Sequence, residues 1–380
     1  MKRFCLLLAV LCLPWWGQAA FINGQNYVSL SDWAKANGFR VESYTRDQVV
    51  LANKWSRLTF DIDSAESVIN GVGVRLSFPV AKGGLISQLD IDTTLRPLVS
   101  PQKMPGRTID TICLDPGHGG KDTGNRVSSF YWHNEKVYTL ALAYELRQQL
   151  VKAGYKVVLT RSSDAFVELP TRPAVANRAH ADLFISLHFN AAQGSRDTAE
   201  GAETYCITPV GAASSNAQGE GADHGATAAN RVGDKSLMLA YQVQKALVGD
   251  LHATDRDVRR ARFAVLRDAT MPAILIEGGY MSHPWEGKKI FEPEYRQQMA
   301  AAIVGGIQNY QKLMTTMPAA PARAVTPAVG AHPSMTPPVA ATNRPAVAVP
   351  KVVVATNPPA EPPPARLPRS GFRYSSPRGQ

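Results

Sequence analysis

Four side chains set the chemical question in this sequence: His118, Glu135, His188 and Glu277. His118 lies in TICLDPGHGG (residues 111–120), where Ile109, Ile112 and Leu114 read as a short buried strand that Pro116-Gly117 ends. The flanking glycines free the backbone and present the imidazole on a tight turn. Glu135 opens the next helical stretch, His188 ends LFISLH, and Glu277 ends AILIE. All four fall at the carboxyl ends of strands or at a helix start nearby, the edge where open α/β sheets bind ligands. Two imidazoles and one carboxylate suit zinc, with a fourth position open to water. Zinc lowers the pKa of such a water to about 7 and polarises a carbonyl. Glu277 could then accept the water proton and pass it to a leaving nitrogen. Each residue alone has an ordinary explanation, a hydrogen-bonded strand-end histidine or a glutamate favoured at a helix N-terminus. Their joint placement carries the reading.

Residues 108–314 supply the elements that must position them. Strand-like runs at 109–114 and 155–159, DLFISLHFN, RFAVLR and PAILIE alternate with helical runs at 135–153, 169–179 and 236–247, and with a last helix in which Pro293 occupies the first turn. This alternation predicts an α/β fold, a mostly parallel sheet with helices on both faces. Unbroken apolar runs such as LFISL fit strands buried on both sides. In the 135–150 helix, Val137, Leu140, Ala141 and Tyr144 share one face, expected to pack. A small α+β unit at 20–101 comes first, with strands at 27–30, 48–51, 57–61 and 74–78 around a helix at 31–37. Ser31 can start that helix and Gly38 can end it. This unit has no concentration of His, Cys or paired acids, so a binding or positioning role is expected.

The ends carry different information. Residues 1–19 read as a secretory signal: Lys2 and Arg3, an apolar run, then Gly17-Gln18-Ala19. The run is short of the roughly 20 apolar residues of a membrane span. Export to a periplasm or cell wall is therefore expected, with no transmembrane helix in the mature chain. The formal charge of +10 resides mostly in the Pro/Ala-rich tail at 315–380, which is expected to be extended and disordered. Nucleic acid is an improbable partner for an exported chain. Of four cysteines, Cys113 and Cys206 lie beyond the signal, in apolar runs where buried free thiols are the default.

Successive stretches resemble one known family. LDPGHGGKDTG, NEKVYTLALAYELRQQL, GYKVVLTRSSDAFVEL, RPAVANRAHADLFISLHFNA, GAETYC and RRARFAVLRDATMPAILIEGGYMSHP are similar, in order, to motifs of the zinc-dependent N-acetylmuramoyl-L-alanine amidases of the amidase-3 type. INGQNYVSLSDWAKANGFRV and VINGVGVRLSFPV resemble the copper amine oxidase N-terminal-like domain of bacterial exported proteins, with no copper implied. The amidase resemblance implies His118, Glu135 and His188 as ligands of one Zn2+, Glu277 as the catalytic carboxylate, and cleavage between the lactyl group of muramic acid and L-alanine. Peptidoglycan is the expected partner, with an activator protein a further candidate. Asp115 is a candidate to hold the His118 ring or to cap its turn, and Asn190 to orient groups near the metal. His133 competes with Glu135 as a ligand; the match of NEK favours Glu135. Tyr131 and Trp132 are candidates for the groove lining or for packing under the loop. Residues 209–234 read as a surface loop, from which Glu220 or His224 could reach the site. The other readings are a zinc peptidase acting on cross-links and a non-catalytic wall-binding protein.

Overall fold

The computed structural model describes residues 20–102, 108–128, 132–192, 198–215 and 225–316. The signal segment, the tail beyond residue 316, Tyr131, Glu220 and His224 lie outside them.

The first unit begins with β1 (Ala20–Ile22), β2 (Gln25–Ser29) and α1 (Leu30–Ala36). Ser29, not Ser31, caps α1, accepting the Asp32 N–H. An antiparallel sheet follows, ordered β3 (Arg40–Tyr44), β4 (Gln48–Ala52), β5 (Arg57–Asp61), β6 (Ser67–Ile69) and β7 (Val72–Gly73). Buried and less buried residues alternate in β5, as a sheet with one covered face requires. β8 (Leu85–Ser87) pairs with β2, and α2 (Gln88–Asp90), a π-turn (Ile91–Leu95) and α3 (Arg96–Val99) close the unit.

The second unit is built on β9 (Thr111–Pro116), the hairpin β10 (Arg126–Ser128) and β11 (Trp132–Asn134), α4 (Glu135–Lys152), β12 (Lys156–Leu159), α5 (Thr171–Arg178) and β13 (Leu183–Asn190). There follow β14 (Ala202–Cys206), α6 (Gly233–Gly249), β15 (Asp255–Arg260), α7 (Ala264–Arg267), β16 (Ala273–Tyr280), α8 (Glu286–Phe291) and α9 (Pro293–Thr316). Its sheet runs β12-β9-β13-β16-β14-β15. Every pairing is parallel except β16 with β14, so the fold is the mostly parallel α/β sheet expected from sequence. That one reversal puts the start of β15 at the edge where β13 and β16 end.

Three further expectations change. RFAVLR is not a strand: β15 is DRDVRR before it, and Ala264–Arg267 is a helical turn. Helix α4 buries Thr139, Leu142, Ala143, Leu146 and Leu150, while Val137 is exposed. The face chosen from apolar count was wrong because the helix turns its small and leucine-rich side to the sheet and α9. Phe78 and its neighbours form no long strand: Val74 makes only a bridge, parallel to Val258 of β15. That bridge joins the two units, with Arg75 N–H donating to Val258 O at 2.9 Å and Gly73 N–H to Asp255 Oδ2 at 2.7 Å. One apolar cluster runs from Leu58 and Ile69 through Val258 to Leu237 and Ile276. Burying such side chains contributes about 1.5–3 kcal/mol each.

Candidate active site

The turn after β9 is built before its histidine can act. Arg172, fully buried, donates to Asp115 Oδ1 at 2.8 Å, Pro116 O at 2.9 Å and His118 O at 2.9 Å. Arg161 donates to Pro116 O at 2.9 Å and Gly117 O at 2.8 Å. Three consecutive carbonyls are thus held by two guanidinium forks, each with several fixed donors. His118 adopts φ 61°, a left-handed conformation that a non-glycine residue keeps only when its surroundings impose it. The reversal folds Asp122 back under the ring, and its Oδ2 lies 2.9 Å from His118 Nδ1. Nε2 is left facing Glu135 Oε2 at 3.1 Å. At Gly117 any Cβ would overlap the His188 ring, which is why the turn needs glycine there.

Glu135 starts α4 and is buried, accepting Asn125 N–H on Oε2 at 2.8 Å and Phe189 N–H on Oε1 at 3.0 Å. His188 Nδ1 lies 3.0 Å from Oε1. Burial opposes the Glu135 charge, but hydrogen bonds and charge from His118 and His188 outweigh it and hold the carboxyl well below its usual range. His118 moves up: burial lowers it, and Glu135 and Asp122 together raise it further. One donor atom from each of His118, Glu135 and His188 lies within 4.8 Å of the others, so this trio can hold a metal ion. The carboxylate behind His118 orients a ring as metal-binding histidines require.

Glu277 stands beside them by register, opposite His188 of β13 on one side and Glu203 of β14 on the other. Its Oε2 is buried and has no hydrogen-bond partner among the described residues. Burial, then the charges of Glu135 and Glu203, push its carboxyl well above the usual range. Glu203 is differently placed: Asn190 Nδ2 donates to it at 2.8 Å, Tyr205 O–H at 3.1 Å, and Arg259 Nε pairs with it at 3.1 Å. Glu203 is hydrogen-bonded through Oε1 and faces the Arg259 charge through Oε2, whereas Glu277 Oε2 has neither among the described residues and can take a proton.

The sequence candidates divide accordingly. His118, Glu135, His188 and Glu277 meet at one edge. Asn190 reaches Glu203 rather than the trio. Asp115 does not hold His118: its oxygens accept from Thr160, Arg172 and Ser186, and Asp122 has the place behind the ring. His133 is buried, stacked on Phe291 at 3.7 Å and bonded to Tyr138 O–H, so it is packing and no competitor to Glu135. Trp132 is 60% exposed under the Arg126 guanidinium, not packed under the loop. Cys113 and Cys206 are free thiols on opposite sheet faces, in separate clusters. Sequence reasoning missed Asp122, Arg161, Arg172 and Glu203; all four lie in the family-like stretches LDPGHGGKDTG, GYKVVLTRSSDAFVEL, RPAVANRAHADLFISLHFNA and GAETYC, without a local signal of what they touch.

A six-stranded, mostly parallel α/β sheet carrying a His-Glu-His trio at its strand ends defines the class. The family profile of N-acetylmuramoyl-L-alanine amidase (amidase-3) matches residues 112–309, more than half of the chain, and the chain belongs to that family. It is 34% identical over 200 residues to Bacillus subtilis YqiI, covering 53% of this chain and 84% of that protein. To the N-acetylmuramoyl-L-alanine amidase AmiC of Neisseria meningitidis it is 33% identical, over 56% of this chain and 55% of AmiC. To the probable cell wall amidase LytH of Staphylococcus epidermidis it is 34% identical, over 53% of this chain and 58% of LytH. The chain thus spans little more than half the length of these two amidases. A crystallised amidase from Clostridium difficile 630 is 33% identical over 54% of this chain and 97% of its own, with a TM-score of 0.45. No helix among the described residues is long and apolar enough to cross a membrane.

Proposed function

We propose that this chain is an exported zinc hydrolase of the periplasm or cell wall that cleaves the amide between N-acetylmuramic acid and the L-alanine of peptidoglycan stem peptides. One observation carries the reading: a His118-Glu135-His188 trio, its glutamate buried and its imidazoles partly exposed, has donor atoms within 4.8 Å and stands beside Glu277, whose Oε2 is buried without a hydrogen-bond partner among the described residues. The donor set, two imidazole nitrogens and a carboxylate, fits zinc with a position open. When bound there, zinc acidifies water and polarises a carbonyl. The chain does the rest. Asp122 and Glu135 keep the two imidazoles oriented. Glu277, raised in pKa by burial and by its acidic neighbours, takes a proton from the attacking water. It then returns that proton to the alanine nitrogen as the C–N bond breaks. Asn190, Tyr205 and Arg259 occupy Glu203, so it does not compete as base.

The test is digestion of purified peptidoglycan, before and after chelation and with zinc restored, with the products analysed by mass spectrometry. Peptides beginning with L-alanine, lost on chelation and regained with zinc, are expected. Cleaved cross-links would instead identify a peptidase. Wall binding without product would identify a non-catalytic protein.

A further inference from the structure

The exposed aromatic rings of the second unit are not scattered. Among its described residues they are Trp132, Phe166 and Trp285, and each lies in a connection that leaves the carboxyl end of a strand, after β9, β12 and β16. That is the edge where the trio stands. Each ring also carries a cation: Arg126 over Trp132 at 4.8 Å, Lys121 over Phe166 at 4.4 Å and Lys288 over Trp285 at 4.8 Å. Phe166 is the least exposed and lies against Gly120. The two tryptophans stand out, 60% and 70% exposed.

Both are held outward by rigid supports. In the β10–β11 hairpin His133 is buried and stacked on Phe291 of α8, so strand alternation turns Trp132 to the other face, three residues before Glu135. Arg126, diagonal to Trp132 across the hairpin, shares that face. Trp285 precedes α8, where the buried Glu286 carboxylate accepts Tyr280 N–H at 2.6 Å and Gly201 N–H at 3.0 Å. Gly287 is pressed against Met281 O, which fixes the same turn from its other side. A ring held in place before its ligand arrives loses little freedom on binding.

We infer that Trp132 and Trp285 are stacking platforms for sugar rings of the glycan strand that carries the scissile amide. The assignment rests on the amidase reading and makes them determinants of polymer over fragment. In that reaction the acyl group belongs to a sugar, so the rest of the glycan must run across this edge. A pyranose presents a flat C–H face that covers one indole while its hydroxyls stay in water. Separate rings suit such unit-by-unit stacking, whereas a protein partner calls for one continuous apolar patch. The cations above the rings suit a polymer whose stem peptides bear carboxylates.

The experiment gives the full-length mature protein, with zinc, two soluble substrates. One is a single muramoyl tripeptide; the other is a glycan chain of several disaccharides bearing the same peptide. kcat/KM is measured per scissile amide. The chain is expected to be preferred about tenfold, the size of one aromatic contact. In the Trp132→Ala/Trp285→Ala variant the ratio is expected to fall to about 1. Trp55, equally exposed on the β4–β5 turn with Lys54 over its ring at 4.8 Å, is the control, and Trp55→Ala is expected to keep the parent ratio. The ratio is internal to each preparation, so a partly misfolded variant does not disturb it. Equal kcat/KM for both substrates in the parent, an undiminished ratio in the double variant, or the same fall in Trp55→Ala would each overturn the assignment and leave the amidase reading standing. Cleavage of neither substrate by the parent would remove both.

Discussion

The two halves of the site are built on opposite terms. On the side of β9, α4 and α5, nearly every polar atom is spoken for: Arg161 and Arg172 take the carbonyls of residues 116–118, and Asp115 is bonded through both oxygens. On the side of β15 and β16, Glu277 Oε2 and Arg256 Nε are buried without hydrogen-bond partners, and Asp257 is strained. Leaving a buried polar group unsatisfied costs about 1–3 kcal/mol, so such groups are retained where something else is to meet them. On the proposed function, the first half holds the metal ligands still and the second leaves groups for water and substrate.

Substitutions in the two halves should therefore fail differently. The largest effect is expected at Glu277→Gln, which keeps the shape and removes the base: kcat falls by about 10²–10⁴, with the zinc content of the parent and a melting temperature no lower than the parent's. Steady-state kinetics beside a thermal melt checks both. In the other half, Arg172→Met strands the buried Asp115 carboxylate and is expected to destabilise by about 3–5 kcal/mol, read by denaturant unfolding. A loss of activity without a loss of stability there would break the contrast. Asp122→Ala removes the carboxylate behind His118 and should weaken zinc binding about 10–100-fold, measured by competition with a chelator.

The smallest effect has the opposite sign. The raised pKa of Asp257 means that the folded chain holds this proton to higher pH than the unfolded chain. Stability from this group is lost as pH rises from the unfolded value, about 3.9, through the folded one. Asp257→Asn avoids that loss. The variant should melt about 1–3 °C above the parent at pH 7, and the gain should vanish below about pH 4.

What could be read from sequence follows the same division. His118, Glu135, His188 and Glu277 were legible because each is tied to a local signal, a strand end, a glycine turn or a helix start. The sheet was legible from apolar runs buried on both faces. The partner of His118 was not: Asp115 is nearer in sequence, but β9 points it at Arg172 and Ser186, while the left-handed turn at His118 brings Asp122 beneath the ring. Glu203 and Arg259 depend on the register of β14 against β16 and β15, which no local pattern contains. RFAVLR was misread because a short unbroken apolar run between two arginines fits a helical turn as well as a strand.

The most direct test of the account measures zinc content and product in one sample of the Glu277→Gln protein. The account predicts about one zinc per chain and release of L-alanine-terminated peptides below about 1% of the parent rate. Release at the parent rate from the zinc-loaded variant would contradict the role given to Glu277, and zinc absent from both proteins would contradict the trio.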